Sequence, residues 1–369
     1  MTDAELRQRC HTILPGHRQP SAAETFGAMA AWCEANKVAH DVYGDGELIQ
    51  SFEQKIAALL GFPAGVFCMT GTMTQVTALR LACAERGSTL VGLHPTAHIL
   101  KHERGNHQLL GHFHALQIGD PFRPWTLQDL QVLPERLGAV SLELPAREIG
   151  GQCPGWDELR AIKTWCREQR IHLHMDGARL WETAAAYGKP LHEICAGFDS
   201  VYVSLYKGIG GLGGAVLLGG DAFVARAAEW FRRQGGNVIH RTPYVVSAAM
   251  QFDARLAAMP DYHRRTVALY DTLRAYPRLT PNPARPHASL LHLHMPVNRD
   301  RATDIRNAFA ERHGVWLFNR AGHAQLPGHS VTEWYVGDNL LALSDDRLRE
   351  ILALWCADLG ADLAAASNL

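Results

Sequence analysis

The sequence predicts an α/β fold, with a large domain built on a mostly parallel sheet flanked by helices and a smaller carboxy-terminal α+β domain. Three observations carry that expectation. From about residue 21 to 245, short apolar runs alternate with stretches whose apolar residues recur at helical spacing. After about residue 250 that alternation gives way to a long helical region, separate strands and a final helix. The composition, 47% hydrophobic and 20% charged, is that of an ordinary globular chain long enough for two cores.

In order along the chain, residues 1–20 carry two prolines and little periodicity, and read as an arm. The large domain is expected over 21–250. Its strands are read at Val66–Met69, Thr89–Leu93, Ala139–Leu144, Ile171–Met175, Ser200–Leu205 and Ala215–Leu218. Helical spacing marks Gln75–Glu85, Trp156–Gln169 and Ala222–Arg233. A parallel sheet covered by helices on both faces accommodates this order. The small domain, 251–369, is expected to hold a helix over 251–275, a strand at Ser289–Met295, a helix near 303–312, strands at Val315–Phe318 and Val331–Val336, and a helix over 345–358.

Charge and composition narrow the partners. The 36 basic and 37 acidic residues nearly cancel, and no basic stripe offers itself to nucleic acid or an anionic membrane. No apolar stretch approaches a membrane span, and Met1-Thr2-Asp3-Ala4-Glu5 lacks the start of a signal peptide. Eight cysteines stand singly, without a Cys-x-x-Cys pair, which predicts reduced thiols and a cytoplasmic protein. The expected partner is a small molecule.

The strongest chemical signal is His174-Met175-Asp176-Gly177-Ala178-Arg179 followed by Ser204-Leu205-Tyr206-Lys207-Gly208. Asp176 and Lys207 each fall where an apolar strand ends, the place where open parallel sheets bind ligands. A lysine that can condense with an aldehyde and a carboxylate that can keep a pyridine nitrogen protonated are what pyridoxal 5′-phosphate requires. Lys207 must then lose its proton near neutral pH, which burial or a neighbouring cation would favour. Thr70-Gly71-Thr72 follows a strand and precedes a helical run, so backbone N–H groups there could cradle the phosphate, although a plain helix cap would look the same. Gly208-Ile209-Gly210-Gly211-Leu212-Gly213 fits the dinucleotide pattern letter for letter, but a strand follows it where that fingerprint needs a helix.

These segments resemble the threonine aldolases of the β-eliminating lyase group, fold-type-I pyridoxal enzymes. Asp41-Val42-Tyr43-Gly44, Thr70-Gly71-Thr72-Met73, the His98 segment, the Asp176 segment and Lys207-Gly208 occur in the family's order. The resemblance implies that Lys207 forms the Schiff base, that Asp176 pairs with the pyridine nitrogen, and that His98 stacks on the ring. It implies that Gly71 and Thr72 hold phosphate and that Arg179 contacts the substrate carboxylate. Tyr43 is then the residue that reaches a neighbouring subunit's site, in a homodimer or homotetramer. Arg232 and Arg241 match basic residues near the phosphate, with an altered loop between them.

The departures lie on the substrate side. The family's Arg-Ser-Asp-Thr reads Arg9-Cys10-His11-Thr12, which replaces a serine that would help hold the substrate carboxylate, and its segment carrying a hydroxyl-facing histidine has no counterpart before Ala139–Leu144. A further carboxylate anchor is replaced by Thr332-Glu333-Trp334-Tyr335, and a glutamate cannot grip a carboxylate. Arg147, in the loop after Ala139–Leu144, is a candidate compensating anchor or an exposed loop arginine. Three His-x-His pairs, 112/114, 172/174 and 292/294, have strand spacing, but none comes with a recognisable third ligand, so no metal is expected.

The expected activity is Cα–Cβ cleavage of a β-hydroxy-α-amino acid into glycine, or a related amino acid, and an aldehyde, with threonine itself a poor substrate. The base is left open between His98 and an ordered water. The alternatives are β-elimination, racemisation or transamination with the same cofactor, and a pyridoxal-binding protein without catalysis.

Overall fold

The computed structural model describes residues 2–366. The chain divides into two compact units, Pro20–Ala258 and a second made of Met1–Gln19 with Met259–Leu369. The division falls inside the helix Thr242–Leu273, one residue before Pro260.

The larger unit is organised by a seven-stranded sheet. Its strands are β1 (Ala64–Cys68), β2 (Leu90–Leu93), β3 (His114–Gln117), β4 (Ala139–Glu143), β5 (His172–Gly177), β6 (Ser200–Ser204) and β7 (Ala215–Gly219). Their order across the sheet is β1-β7-β6-β5-β4-β2-β3. All pairings are parallel except those of β7, which runs antiparallel to both β1 and β6. The link from β6 to β7 is too short for a crossover, so β7 can only fold back. The dinucleotide-like glycine run lies in that link. Gly210 and Gly214 there hold φ of +89° and +94°, and a Cβ at 214 would run into the Phe67 ring.

Most elements lie within a few residues of where their apolar spacing puts them. Departures in this unit include the helices Ala22–Ala35 and Glu47–Leu60, which are not among the expected elements, and a helix that begins at Thr242 rather than at 251. Two more have a local reason. The strand β3 was not expected, because it is an edge strand with His114 and Gln117 exposed and little apolar signal. The helix expected from Gln75 begins at Gly71, because the Thr70 hydroxyl caps it by accepting from the Met73 N–H, and it ends at Gly87 with φ +64°. Cβ geometry also makes position 71 a glycine. Any side chain there would collide with the hydroxyl of Tyr202 on β6.

The second unit holds a four-stranded antiparallel sheet, β8 (Thr280–Asn282), β9 (Leu290–Met295), β10 (Ala321–His323) and β11 (Ser330–Tyr335), in the order β10-β11-β9-β8. The helices Arg299–His313 and Asp345–Ala366 accompany it, around a core that includes Leu291, Leu293, Phe309, Phe318, Trp334 and Trp355. The rings of Trp334 and Trp355 stack with centroids 5.8 Å apart. Glu333 stands opposite His292 in the β9–β11 register. Of the expected strand Val315–Phe318, only Val315–Trp316 pairs, and its partner is Thr12–Ile13. The first residues therefore are no bare arm. Asp3–Arg9 is a helix with a Thr2/Glu5 capping box, too short, and with only Leu6 buried, to show a period. Among the described residues, no helix is long and apolar enough to cross a membrane.

Candidate active site

The carboxyl ends of β4, β5 and β6 meet at one pocket of the larger unit. It is lined by His98, His102, Glu143, Pro145, Arg147, Glu148, Asp176, Ala178, Arg179 and Lys207. Five of the residues singled out from sequence, Lys207, Asp176, His98, Arg179 and Arg147, are thus brought together. Gly71, Thr72 and Tyr43 are not among its lining residues. Gly71 and Thr72 open the helix Gly71–Arg86, whose first-turn N–H groups the helix itself cannot satisfy. That helix reaches the pocket through Gln75, whose side-chain amide donates to Asp176.

Lys207 lies just beyond β6, after Leu205 and Tyr206. Burial lowers its pKa, and the Arg179 guanidinium nearby lowers it further against the pull of Asp176 and Glu143. The amine is thereby biased towards the neutral, nucleophilic form. Asp176 ends β5, with Oδ1 accepting from the Ala178 N–H at 3.1 Å and Oδ2 accepting from Gln75. A carboxylate offers about four acceptor positions, so lone pairs remain for another donor.

Three acidic neighbours escaped the reading of the sequence. Glu143 stands beside Asp176 in the β4–β5 register. Its Oε1 accepts from the His98 N–H at 2.9 Å, whereas Oε2 is buried with no partner among the described residues. Burial, then the Asp176 charge, raises its pKa, which biases the carboxyl towards its protonated form. Glu103, its side chain 1% exposed, bonds His98 Nδ1 at 2.9 Å and accepts from the Asn106 amide at 2.9 Å. A carboxylate on Nδ1 fixes the imidazole as the Nδ1–H tautomer and leaves Nε2 as the lone pair. Glu148 receives both His102 Nε2 and Arg147 Nη1, each at 2.9 Å. Strand register would have flagged Glu143. Glu103 and Glu148 carry no sequence signal beyond their charge.

Tyr43 is 48% exposed and adopts φ +54° in a tight turn. Buried Asp41 holds that turn, accepting from the N–H groups of Gly44, Arg241 and Thr242. Among the described residues, no group of three or more His, Cys, Asp or Glu side chains could hold a metal ion. All eight cysteines are free. The pair His172/His174 instead shares Ser200 Oγ, at 2.8 Å from His172 Nε2 and 2.8 Å from His174 Nδ1.

Burial lowers the pKa of both histidines to about 3, which has a measurable consequence for stability. Unfolded, each imidazole takes a proton near 6.5, whereas folded it does so only near 3. The unfolded chain binds more protons inside that window, so stability rises with pH across it and is complete above it. Glu143, its pKa raised, acts in the opposite sense above its ordinary value, so the difference between variants is the useful quantity. His172→Gln is expected to remove about one proton, or roughly 1.4 kcal/mol per pH unit, from the pH slope of the unfolding free energy. Urea titrations at a series of acidic pH values measure it. Parallel slopes for the two proteins would contradict the assignment.

The β-eliminating lyase family model matches residues 21–296. A low-specificity L-threonine aldolase from Candida albicans is 28% identical over 310 residues, covering 79% of each chain. Two solved structures align over nearly the whole chain, each with 34% identity. A proposed L-allo-threonine aldolase from Listeria monocytogenes EGD-E superposes with a TM-score of 0.88, covering 96% of this chain and 97% of its own. A proposed aromatic amino acid β-eliminating lyase/threonine aldolase from Exiguobacterium sp. 255-15 gives 0.87, covering 96% and 98%.

Proposed function

This chain belongs to the β-eliminating lyase family, and from that premise we propose that it cleaves the Cα–Cβ bond of a β-hydroxy-α-amino acid to glycine, or a related amino acid, and an aldehyde. Its architecture is that of the fold-type-I enzymes, and it is a carbon–carbon lyase of the threonine aldolase kind. Enzymes of this family and fold depend on pyridoxal phosphate, which we assign to the pocket at Lys207. The observation that carries the reading is the meeting of an amine of lowered pKa, a hydrogen-bonded carboxylate and a guanidinium in one pocket.

The residues present fit that cofactor. Lys207 would attach it, Asp176 would face its ring nitrogen, and His98 would lie against its ring. The first-turn N–H groups of Gly71 and Thr72 would receive its phosphate. When bound, the cofactor supplies an aldehyde that condenses with amines and a protonated ring that accepts the electron pair of the broken bond. Arg179 takes the substrate carboxylate. His98 Nε2, its lone pair directed away from the Glu103 contact, accepts the β-hydroxyl proton, and Glu103 stabilises the imidazolium that results. The raised pKa of Glu143 disfavours a second negative charge beside Asp176. Tyr43, exposed and outside this pocket in the single chain, is assigned to a neighbouring subunit's site in a homodimer or homotetramer. The enzyme is assigned to the cytoplasm.

The test is a panel of β-hydroxy amino acids with detection of glycine and aldehyde. Bulkier substrates are expected to outperform threonine, because the hydroxyl-facing histidine and two carboxylate anchors are altered. Ammonia or a keto acid without aldehyde would move the assignment to β-elimination or transamination. Racemised substrate would move it to racemisation, and binding without turnover to a cofactor-binding protein. Within that panel, Arg179→Ala is expected to weaken every substrate by roughly 2–5 kcal/mol, the cost of leaving a carboxylate unpaired. Arg147→Ala should matter much less, because Arg147 Nη1 is already held by Glu148. Equal losses in kcat/KM for the two variants would make Arg147 a true second anchor.

A further inference from the structure

One face of β5 carries His172, His174 and Asp176, since alternate residues of a strand share a face. Ser200 of β6 stands opposite His174 in the register, and Gln75 projects from the helix Gly71–Arg86. All five are buried, none more than 5% exposed. They form an unbroken run of contacts. His172 Nε2 meets Ser200 Oγ at 2.8 Å, Ser200 Oγ meets His174 Nδ1 at 2.8 Å, His174 Nε2 meets Gln75 Oε1 at 2.9 Å, and Gln75 Nε2 meets Asp176 Oδ2.

The direction of every bond follows from its last member. An ionised carboxylate only accepts, so Gln75 must present its NH2 to Asp176 and its carbonyl oxygen to His174. His174 then carries its proton on Nε2 and donates it to Gln75. Its Nδ1 is left with a lone pair, which the Ser200 hydroxyl must fill by donating. The Ser200 oxygen in turn accepts from His172 Nε2–H. Both imidazoles are neutral in this arrangement, as their depth requires. Turning Gln75 round would set its carbonyl dipole against the carboxylate in a buried site, where an opposed pair is costly. All the donors therefore point one way, towards Asp176.

We propose that Gln75, His174, Ser200 and His172 are positioning residues that fix the orientation and hydrogen bonding of the Asp176 carboxylate, so that it meets the cofactor's ring nitrogen. The inference rests on the reading in which Asp176 faces that nitrogen. It adds that the placement of the Asp176 carboxylate is set from behind, by residues buried away from the pocket lining. Successive donors polarise one another, so the link nearest the carboxylate contributes most. A network present only to satisfy buried polar atoms would be indifferent to what lies on the far side of Asp176.

That difference is what the experiment reads. The apo protein is titrated with pyridoxal 5′-phosphate and with its 1-deaza analogue, in which a C–H replaces the ring nitrogen. The ratio of the two Kd values reports the nitrogen contact alone. The unmodified protein is expected to prefer pyridoxal phosphate. Gln75→Met, similar in volume but unable to donate, should shrink that preference about tenfold while leaving analogue binding within about twofold. Ser200→Ala, two links further out and the milder change to the core, should shrink it about threefold. Parallel loss of both affinities in either variant would make the network merely structural and overturn the proposal, as would an unchanged ratio in both. A parent protein that binds pyridoxal phosphate no better than the analogue would instead remove the Asp176 reading on which the proposal stands.

Discussion

Lys207→Ala is expected to bind pyridoxal phosphate without covalent attachment and to lose turnover by at least roughly a thousandfold. Of the side chains lining the pocket, only Lys207 carries a primary amine. Burial and the neighbouring Arg179 lower its pKa, which raises the fraction able to attack a carbonyl. A lowered pKa alone would not single it out. Lys163 is also buried, with its pKa lowered to about 8. Its Nζ, however, donates to the Ile194 carbonyl at 2.7 Å and lies over the Trp156 and Phe198 rings, so that amine is occupied. Borohydride reduction of the loaded protein followed by peptide mapping decides between them. Label on Lys163 or any other lysine would show that the pocket has been misassigned.

Asp176→Asn should cost two or more orders of magnitude in kcat/KM with little change in fold. The substitution keeps the shape and removes the charge, so a ring nitrogen facing it would lose its proton and with it most of its capacity to hold the electron pair of the broken bond. Losses of that size accompany the removal of a single preorganised electrostatic contact at a reacting centre. Activity within a few-fold of the parent, with an unchanged circular dichroism spectrum, would sink the role.

The sequence made the sheet legible where strands are continuous apolar runs and silent where they are not. Strands β4 to β7 lie in the middle of the sheet, and their burial imposes the pattern. The edge strand β3 and the two-residue pairing of Thr12–Ile13 with Val315–Trp316 bury too little to leave one. In the pocket, Lys207 and Asp176 could be read because their chemistry is rare at strand ends. Glu103, Glu148 and Gln75 could not, because their importance lies in which side chain they touch. Glu103 acts through His98, Glu148 through His102 and Arg147, and Gln75 through Asp176. No local pattern encodes contacts that the fold brings together.

The reversed strand β7 also dictates when the sheet can be finished during synthesis. It lies between β1 and β6, and Ala64 finds its neighbour only at Gly219. A ribosome emitting the chain amino terminus first releases β1 long before that partner exists. Until residue 219 has emerged, β1 is an unpaired strand end carrying Val66 and Phe67, open to mispairing with another chain. Closing so distant a contact is also slow, because the loop entropy must be overcome before the pairing rewards it. The larger unit is therefore expected to acquire protease resistance abruptly, between nascent chains that stop short of β7 and those that include it, rather than strand by strand.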